Sequence, residues 1–93
     1  MIENREQAIE QAISVLKASG AKEVYIFGSA ARGEIGADSD VDFAIAGLPP
    51  ELFFKAMSAA SRALGRPLDL IDLDEATPFT RYLKEEGELK RVA

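Results

Sequence analysis

A glycine–serine pair that closes one apolar run, and two alternating aspartates that open the next, constrain this chain more than any other feature. Gly28 and Ser29 follow the apolar run 24–27, and Asp40 and Asp42 begin the next run. Chain that leaves a strand into a helical turn points backbone N–H groups outward, and a glycine there leaves room for a phosphate. Residues two apart on a strand face the same side, so the two aspartates can bind divalent metal together. The sequence therefore predicts a phosphate-binding turn beside a pair of metal-binding carboxylates.

Other motifs of similar composition fit this segment less well. A Walker loop ends in Gly-Lys-Ser/Thr, which does not occur here, and the dinucleotide fingerprint needs three glycines at a spacing that Gly28 and Gly33 do not match. The segment 38–42 begins like an EF-hand calcium loop, but Phe43 and Pro49 stand where that loop needs glycine and glutamate. A solvated strand edge or a capped turn is the structural alternative for the aspartates.

A third carboxylate would complete such a metal site, and the last apolar run offers two. Asp69 and Asp72 fall on opposite faces of a strand predicted for residues 68–73. Asp69 lies between two leucines early in that strand, where a charged side chain needs a cationic partner. Asp72 is near the strand end, where an acid is easily solvated. We therefore favour Asp69 as the third ligand, with Asp72 as the alternative.

The apolar periodicity predicts one α/β domain over residues 1–93. Three strands form a mixed sheet with helices packed mainly on one face, and the other face is left to a ligand or partner. Phe79, Tyr82 and Leu83 of the last helix are either core residues or dimer contacts, and the tail 89–93 has no assignment. Helices are predicted over 4–19, 49–64 and 78–86, and strands over 22–27, 40–46 and 68–73.

The composition excludes several kinds of chemistry. The chain has no cysteine and no histidine, which rules out disulfides, Cys/His zinc sites, an imidazole base and a thiolate nucleophile. Its net charge of -5 argues against general nucleic-acid binding but not against a small nucleotide, whose charge a metal can neutralise. No apolar run approaches the ~20 residues that span a bilayer, and the N-terminus is too polar for a secretory signal. We expect a cytoplasmic protein.

The spacing of the central motif resembles a known signature. Gly28-Ser29, ten further residues and then Asp40-x-Asp42 resemble the signature of the DNA polymerase beta-type nucleotidyltransferase superfamily. The fuller run is similar to the minimal prokaryotic branch of that superfamily, the MNT domains. Arg32 matches the basic residue of the motif, which implies a part in nucleotide binding.

This resemblance implies a role for each matching position. Gly28 and Ser29 would bind the β- and γ-phosphates of a nucleoside triphosphate, with ATP as the expected substrate. Asp40 and Asp42 would ligate two Mg²⁺ ions. Asp69 would ligate the catalytic ion and help to deprotonate the acceptor hydroxyl. The implied chemistry is nucleotidyl transfer, which depends on positioning and electrostatics.

The resemblance also implies a partner. MNT domains are often paired with a HEPN-domain toxin, and the implied reaction moves AMP from ATP onto a tyrosine of that toxin and silences it. The resemblance covers about residues 8–86, which leaves no room for the extra domains that grip the base and the acceptor in larger relatives. The acceptor should therefore arrive on another protein, with which this chain can form an oligomer.

Two other functions stay open at this point. A catalytically silent antitoxin would neutralise its toxin by direct binding, with its acidic surface imitating RNA phosphates against a basic RNase surface. Transfer to a small molecule such as an aminoglycoside is disfavoured because no substrate domain is present.

Overall fold

The computed structural model describes residues 5–28, 41–86 and 89–93. These residues form three α-helices and four β-strands, with a short 3-10 turn at Pro50–Leu52 ahead of the second helix. None of the helices in the described part of the chain has the length and apolar character needed to cross a membrane. In chain order the elements are α1 (Arg5–Ala18), β1 (Glu23–Phe27), β2 (Val41–Ala46), α2 (Phe53–Leu64), β3 (Leu68–Asp72), α3 (Pro78–Glu85) and β4 (Lys90–Arg91).

The strands form one mixed sheet in the order β3-β2-β1-β4. β2 pairs with β1 antiparallel and with β3 parallel. The parallel pair is joined by a crossover connection that contains α2. The predicted sheet of three strands is wrong in one respect, because the unassigned tail adds β4 antiparallel to β1. Hydrogen bonds from Val24 N to Ala93 O (3.1 Å) and from Val92 N to Val24 O (2.9 Å) extend this pairing.

Two helices cover one face of the sheet and supply the main core. Ala12 and Leu16 of α1 are fully buried, in keeping with the three- to four-residue spacing of the apolar positions. They pack with Phe43 and Ile45 of β2, which are also fully buried. α2 completes this layer with Ala56, Ala60 and Leu64 and ends at Gly65, whose φ of 79° is the left-handed conformation expected of a helix-ending glycine.

α3 lies on the opposite face, which we had expected to remain open. Leu83 is only 2% exposed and belongs to a second core cluster with Phe27, Ala44 and Leu73. The apolar residues of β1 therefore pack into the cores on both faces of the sheet, since alternate side chains point to opposite faces. Helices pack mainly on one face, as predicted, but the other face is partly covered.

The start of α3 is fixed by a capping box. Thr77 accepts a hydrogen bond from the Thr80 backbone N–H (3.1 Å), and the Thr80 hydroxyl oxygen accepts one from the Thr77 N–H (3.0 Å). Pro78 occupies the first turn, where its missing N–H costs nothing. The buried Thr80 hydroxyl also donates to the Glu75 carbonyl (2.6 Å), which ties the helix to the turn that follows β3. The cap predicted at Thr77 is confirmed.

Candidate functional site

Three side chains form a row across the sheet, at the edge where β1 ends and β2 and β3 begin. Phe27 of β1 is the register partner of Asp42 of β2, and Asp42 is the register partner of Asp69 of β3. Directly paired residues on neighbouring strands, about 4.8 Å apart, point to the same face. We call Asp42 and Asp69 the acidic row. They lie on the face of the sheet that carries α3, because Ala44, two residues after Asp42, belongs to the cluster around Leu83.

Gly28 lies directly against the acidic row. Its φ of 67° is left-handed, and a Cβ added there would stand 2.6 Å from Oδ2 of Asp42. Both facts call for glycine, because another side chain would be strained and would also displace the carboxylate. The backbone at the start of the predicted phosphate-binding turn and the second aspartate of the motif are therefore immediate neighbours.

Asp42 and Asp69 differ in their exposure. Asp42 is half-buried at the start of β2, whereas Asp69 is exposed at the start of β3. Two carboxylates side by side repel each other, and a cation between them relieves that repulsion. Oxygen donors of this kind suit Mg²⁺, and Gly28 leaves Oδ2 of Asp42 uncrowded, because a Cβ there would approach it to 2.6 Å. The donor set thus fits a magnesium ion.

Asp72 lies elsewhere. Its register partner is Ile45, a residue of the core under α1 and α2, so Asp72 is on the opposite face from the acidic row. Its carboxylate accepts a hydrogen bond from the Asp74 N–H (2.9 Å) and so caps the turn at the end of β3. Of the two candidates for the third carboxylate, the structure brings Asp69 to Asp42 and gives Asp72 a local structural contact.

Three of the predicted site residues, Ser29, Arg32 and Asp40, lie outside the described residues. In sequence, Ser29 directly follows Gly28, and Asp40 directly precedes β2. Within the described ranges, no group of three or more acidic, histidine or cysteine side chains forms a metal cluster. The acidic row supplies two carboxylates there, and Asp40 remains the predicted third member of the set.

An aromatic pair lies beside the acidic row, and no sequence motif marks it. The rings of Phe27 and Phe79 meet edge to face, with centroids 6.1 Å apart and an interplanar angle of 67°. Phe27 is buried, whereas Phe79 is 47% exposed. The spacing of apolar residues in α3 indicates that Leu83 is a core residue. It does not indicate which other residue of the helix contacts β1, so the contact between Phe79 and Phe27 could not be predicted.

Residues 10–89 match the sequence model of the family described as "Polymerase beta, Nucleotidyltransferase". This chain belongs to that family. The matched region includes Gly28, Asp42 and Asp69, so the family assignment and the geometry concern the same part of the molecule. The resemblance inferred from the glycine–serine and aspartate motif is confirmed.

Solved structures with the same fold include toxin–antitoxin complexes. A chain in the crystal structure of a toxin–antitoxin with AMP-PNP has a TM-score of 0.71 and 23% identity, over 88% of this chain and 69% of that chain. A structure described as a minimal nucleotidyltransferase has a TM-score of 0.69 and 26% identity, over 90% and 86%. A chain in the complex of a tri-AMPylated Shewanella oneidensis HEPN toxin with an MNT antitoxin has a TM-score of 0.67 and 19% identity, over 95% and 71%.

No curated protein sequence gives a significant match. The structural likeness shows that this chain has the minimal nucleotidyltransferase fold, which it shares with MNT antitoxins. Four strands and three helices of the described residues build that fold here.

Proposed function

We propose that residues 1–93 act as a single nucleotidyltransferase domain that moves AMP from ATP onto a tyrosine hydroxyl of a HEPN-domain toxin. In this role the protein is an antitoxin that works by modification. The observation that carries the proposal is the acidic row of Asp42 and Asp69, with the Gly28 backbone against it.

Magnesium would be held by the carboxylates of Asp42 and Asp69, together with Asp40. When bound, Mg²⁺ offsets phosphate charge and makes a nearby hydroxyl more acidic. Gly28 admits the triphosphate because no side chain blocks its backbone, and the Ser29 hydroxyl and the Arg32 guanidinium are proposed as further contacts to the phosphates.

The proposed transfer is an in-line displacement. The tyrosine oxygen of the acceptor attacks the α-phosphorus of ATP, the bond from that phosphorus to the pyrophosphate oxygen breaks, and pyrophosphate leaves. Asp69 is exposed at the edge of the sheet and accepts the hydroxyl proton. Asp42, which is half-buried beside Gly28, serves as a metal ligand only.

The acceptor is proposed to come from another protein. The fold of this chain matches a chain in the complex of an AMPylated HEPN toxin and an MNT antitoxin, which supports a toxin of that class as the partner. Asp69 is exposed, so a tyrosine on an approaching surface could reach it.

A silent antitoxin that acts only by binding is the alternative, and the net charge of -5 favours association with a basic surface. The two functions differ in their need for ATP and for an intact acidic row.

Labelling of a HEPN protein with α-³²P-ATP and Mg²⁺ tests the proposal. We expect the wild type to label the toxin and Asp69→Asn to lower the rate by about 10²–10⁴-fold, because a ligand and proton acceptor is lost. Asp72→Asn is the matched control on the same strand and should label like the wild type, since Asn can still cap the turn. Undiminished labelling by Asp69→Asn contradicts the proposal. Neutralisation of the toxin without any labelling favours the silent antitoxin.

A further inference from the structure

An exposed aromatic ring lies beside the acidic row and has no part in the chemistry described so far. Phe79 is 47% exposed, yet its ring touches Phe27, whose register partner is Asp42. Its helix lies on the same face of the sheet as the carboxylates.

We infer that Phe79 is the stacking platform for the base of the bound nucleoside triphosphate. The inference rests on the proposed function, since it assigns the triphosphate to Gly28 and the acidic row. The sugar and base then extend from the phosphates along the face of the sheet, and the aromatic pair is the apolar surface that borders that row.

The contact between the rings leaves Phe79 available for stacking. In an edge-to-face pair at an angle of 67°, either the edge of Phe79 meets Phe27 or one face of Phe79 does. In both arrangements at least one face of the Phe79 ring is not covered by Phe27. An exposed ring face is what a base stacks on, and every base has a π-face to offer.

The helix that carries Phe79 is held against the sheet without a ligand. Leu83, one turn further along α3, is buried against the sheet, and the Thr77–Thr80 capping box holds the start of the helix. The ring of Phe27 also contacts the ring of Phe79. A platform fixed in this way loses little conformational entropy when a base binds.

The other exposed aromatic residues in the described part of the chain are less suitable. Phe54 is 73% exposed, but it belongs to α2, on the opposite face, and its ring packs on Phe53. Tyr82 is 51% exposed on α3, and no ring contact ties it to β1. Phe79 is the one whose ring reaches a residue of the row that contains Asp42 and Asp69.

Calorimetric titration with ATP and with inorganic tripolyphosphate, each with Mg²⁺, tests the inference. We expect Phe79→Ala to weaken ATP binding by about 10–100-fold, because the base loses its stacking contact, and to leave the binding of tripolyphosphate, which has no base, unchanged. Phe79→Leu keeps an apolar side chain without a π-face and should lose affinity in the same way. Phe79→Trp should retain it, and since the chain has no other tryptophan, its fluorescence should change on addition of ATP. Phe54→Ala is the control and should bind both ligands like the wild type.

Three results would overturn the inference, and they differ from one another. ATP binding that is unchanged in Phe79→Ala shows that the base does not stack there, even if labelling of a partner falls. Equal losses for ATP and tripolyphosphate show that Phe79 only supports the fold around the phosphates. If the wild type binds neither ligand, the proposed function fails, and the inference fails with it.

Discussion

Gly28 places the backbone at the start of the proposed phosphate-binding turn against the carboxylate of Asp42. We expect Gly28→Ala to lower the free energy of unfolding by about 1–2 kcal/mol, the usual cost of a left-handed conformation for a residue with a Cβ. The added methyl group would also push Oδ2 of Asp42 aside, because it would lie 2.6 Å away. MgATP affinity should therefore fall by about 10–100-fold, as it does when a metal ligand loses its support.

Gly65 provides the matched control for this substitution. Its φ of 79° is equally left-handed, but a Cβ there would meet nothing within 4 Å. Gly65→Ala should lower stability by a similar amount and leave MgATP affinity unchanged. Urea denaturation and calorimetry on both variants measure the two effects. Equal MgATP affinities in the two variants would show that the contact between Gly28 and Asp42 has no functional consequence.

At the scale of elements, the edge formed by β1 and β4 contains a titratable contact. The Tyr25 hydroxyl donates a hydrogen bond to the Glu23 carboxylate. This bond raises the pKa of Tyr25 above its usual value of 10.0, and desolvation raises it further. The folded protein therefore holds the phenol proton to higher pH than the unfolded chain does. The resulting stabilisation is fully present below pH 10 and is lost as the pH rises through the folded-state pKa.

Absorbance titration of tyrosine ionisation measures this shift, because the chain has only two tyrosines. In Tyr82→Phe, where Tyr25 alone reports, we expect the midpoint to lie above 10. Glu23→Gln in the same background should bring the midpoint down, since the carboxylate is the main cause of the shift. A midpoint in Tyr82→Phe at or below 10 would contradict the hydrogen bond.

Most elements could be predicted from local pattern, and those that could not depend on tertiary contacts. The spacing of Ala12 and Leu16 and the cap at Thr77 are local signals, and both are confirmed. β4 carries no such signal, because Lys90 and Arg91 are exposed charged residues whose pairing depends on β1 being in place.

The site residues likewise include some that local pattern predicts and others that depend on tertiary contacts. Strand alternation alone put Asp69 and Asp72 on opposite faces, but it could not say which face carries Asp42. That choice needed the register between β2 and β3, which pairs Asp42 with Asp69 and Ile45 with Asp72. The contact between Phe27 and Phe79 likewise joins two residues far apart in the chain.

At the scale of the whole molecule, the two ends of the sheet differ in the contacts that their carboxylates make. The acidic row lies at one end, with Gly28 and the aromatic pair next to it. The other end is held by a hydrogen bond from the Gly47 N–H to the Asp74 carboxylate (2.7 Å), which closes the turns that follow β2 and β3. Carboxylates occur at both ends, so acidity alone does not locate a metal site, whereas the direct pairing of Asp42 with Asp69 favours the first end.

The position of the proposed metal–nucleotide site can be measured directly, because a chain of 93 residues is well suited to solution NMR. Mn²⁺ binds the same oxygen ligands as Mg²⁺ and broadens the signals of nearby amides. With ATP present and Mn²⁺ well below the protein concentration, we predict that the amide signals of Gly28, Asp42 and Asp69 broaden first, while those of Gly47 and Asp74 persist. Broadening centred on Gly47 and Asp74, with the acidic row unaffected, would contradict the account.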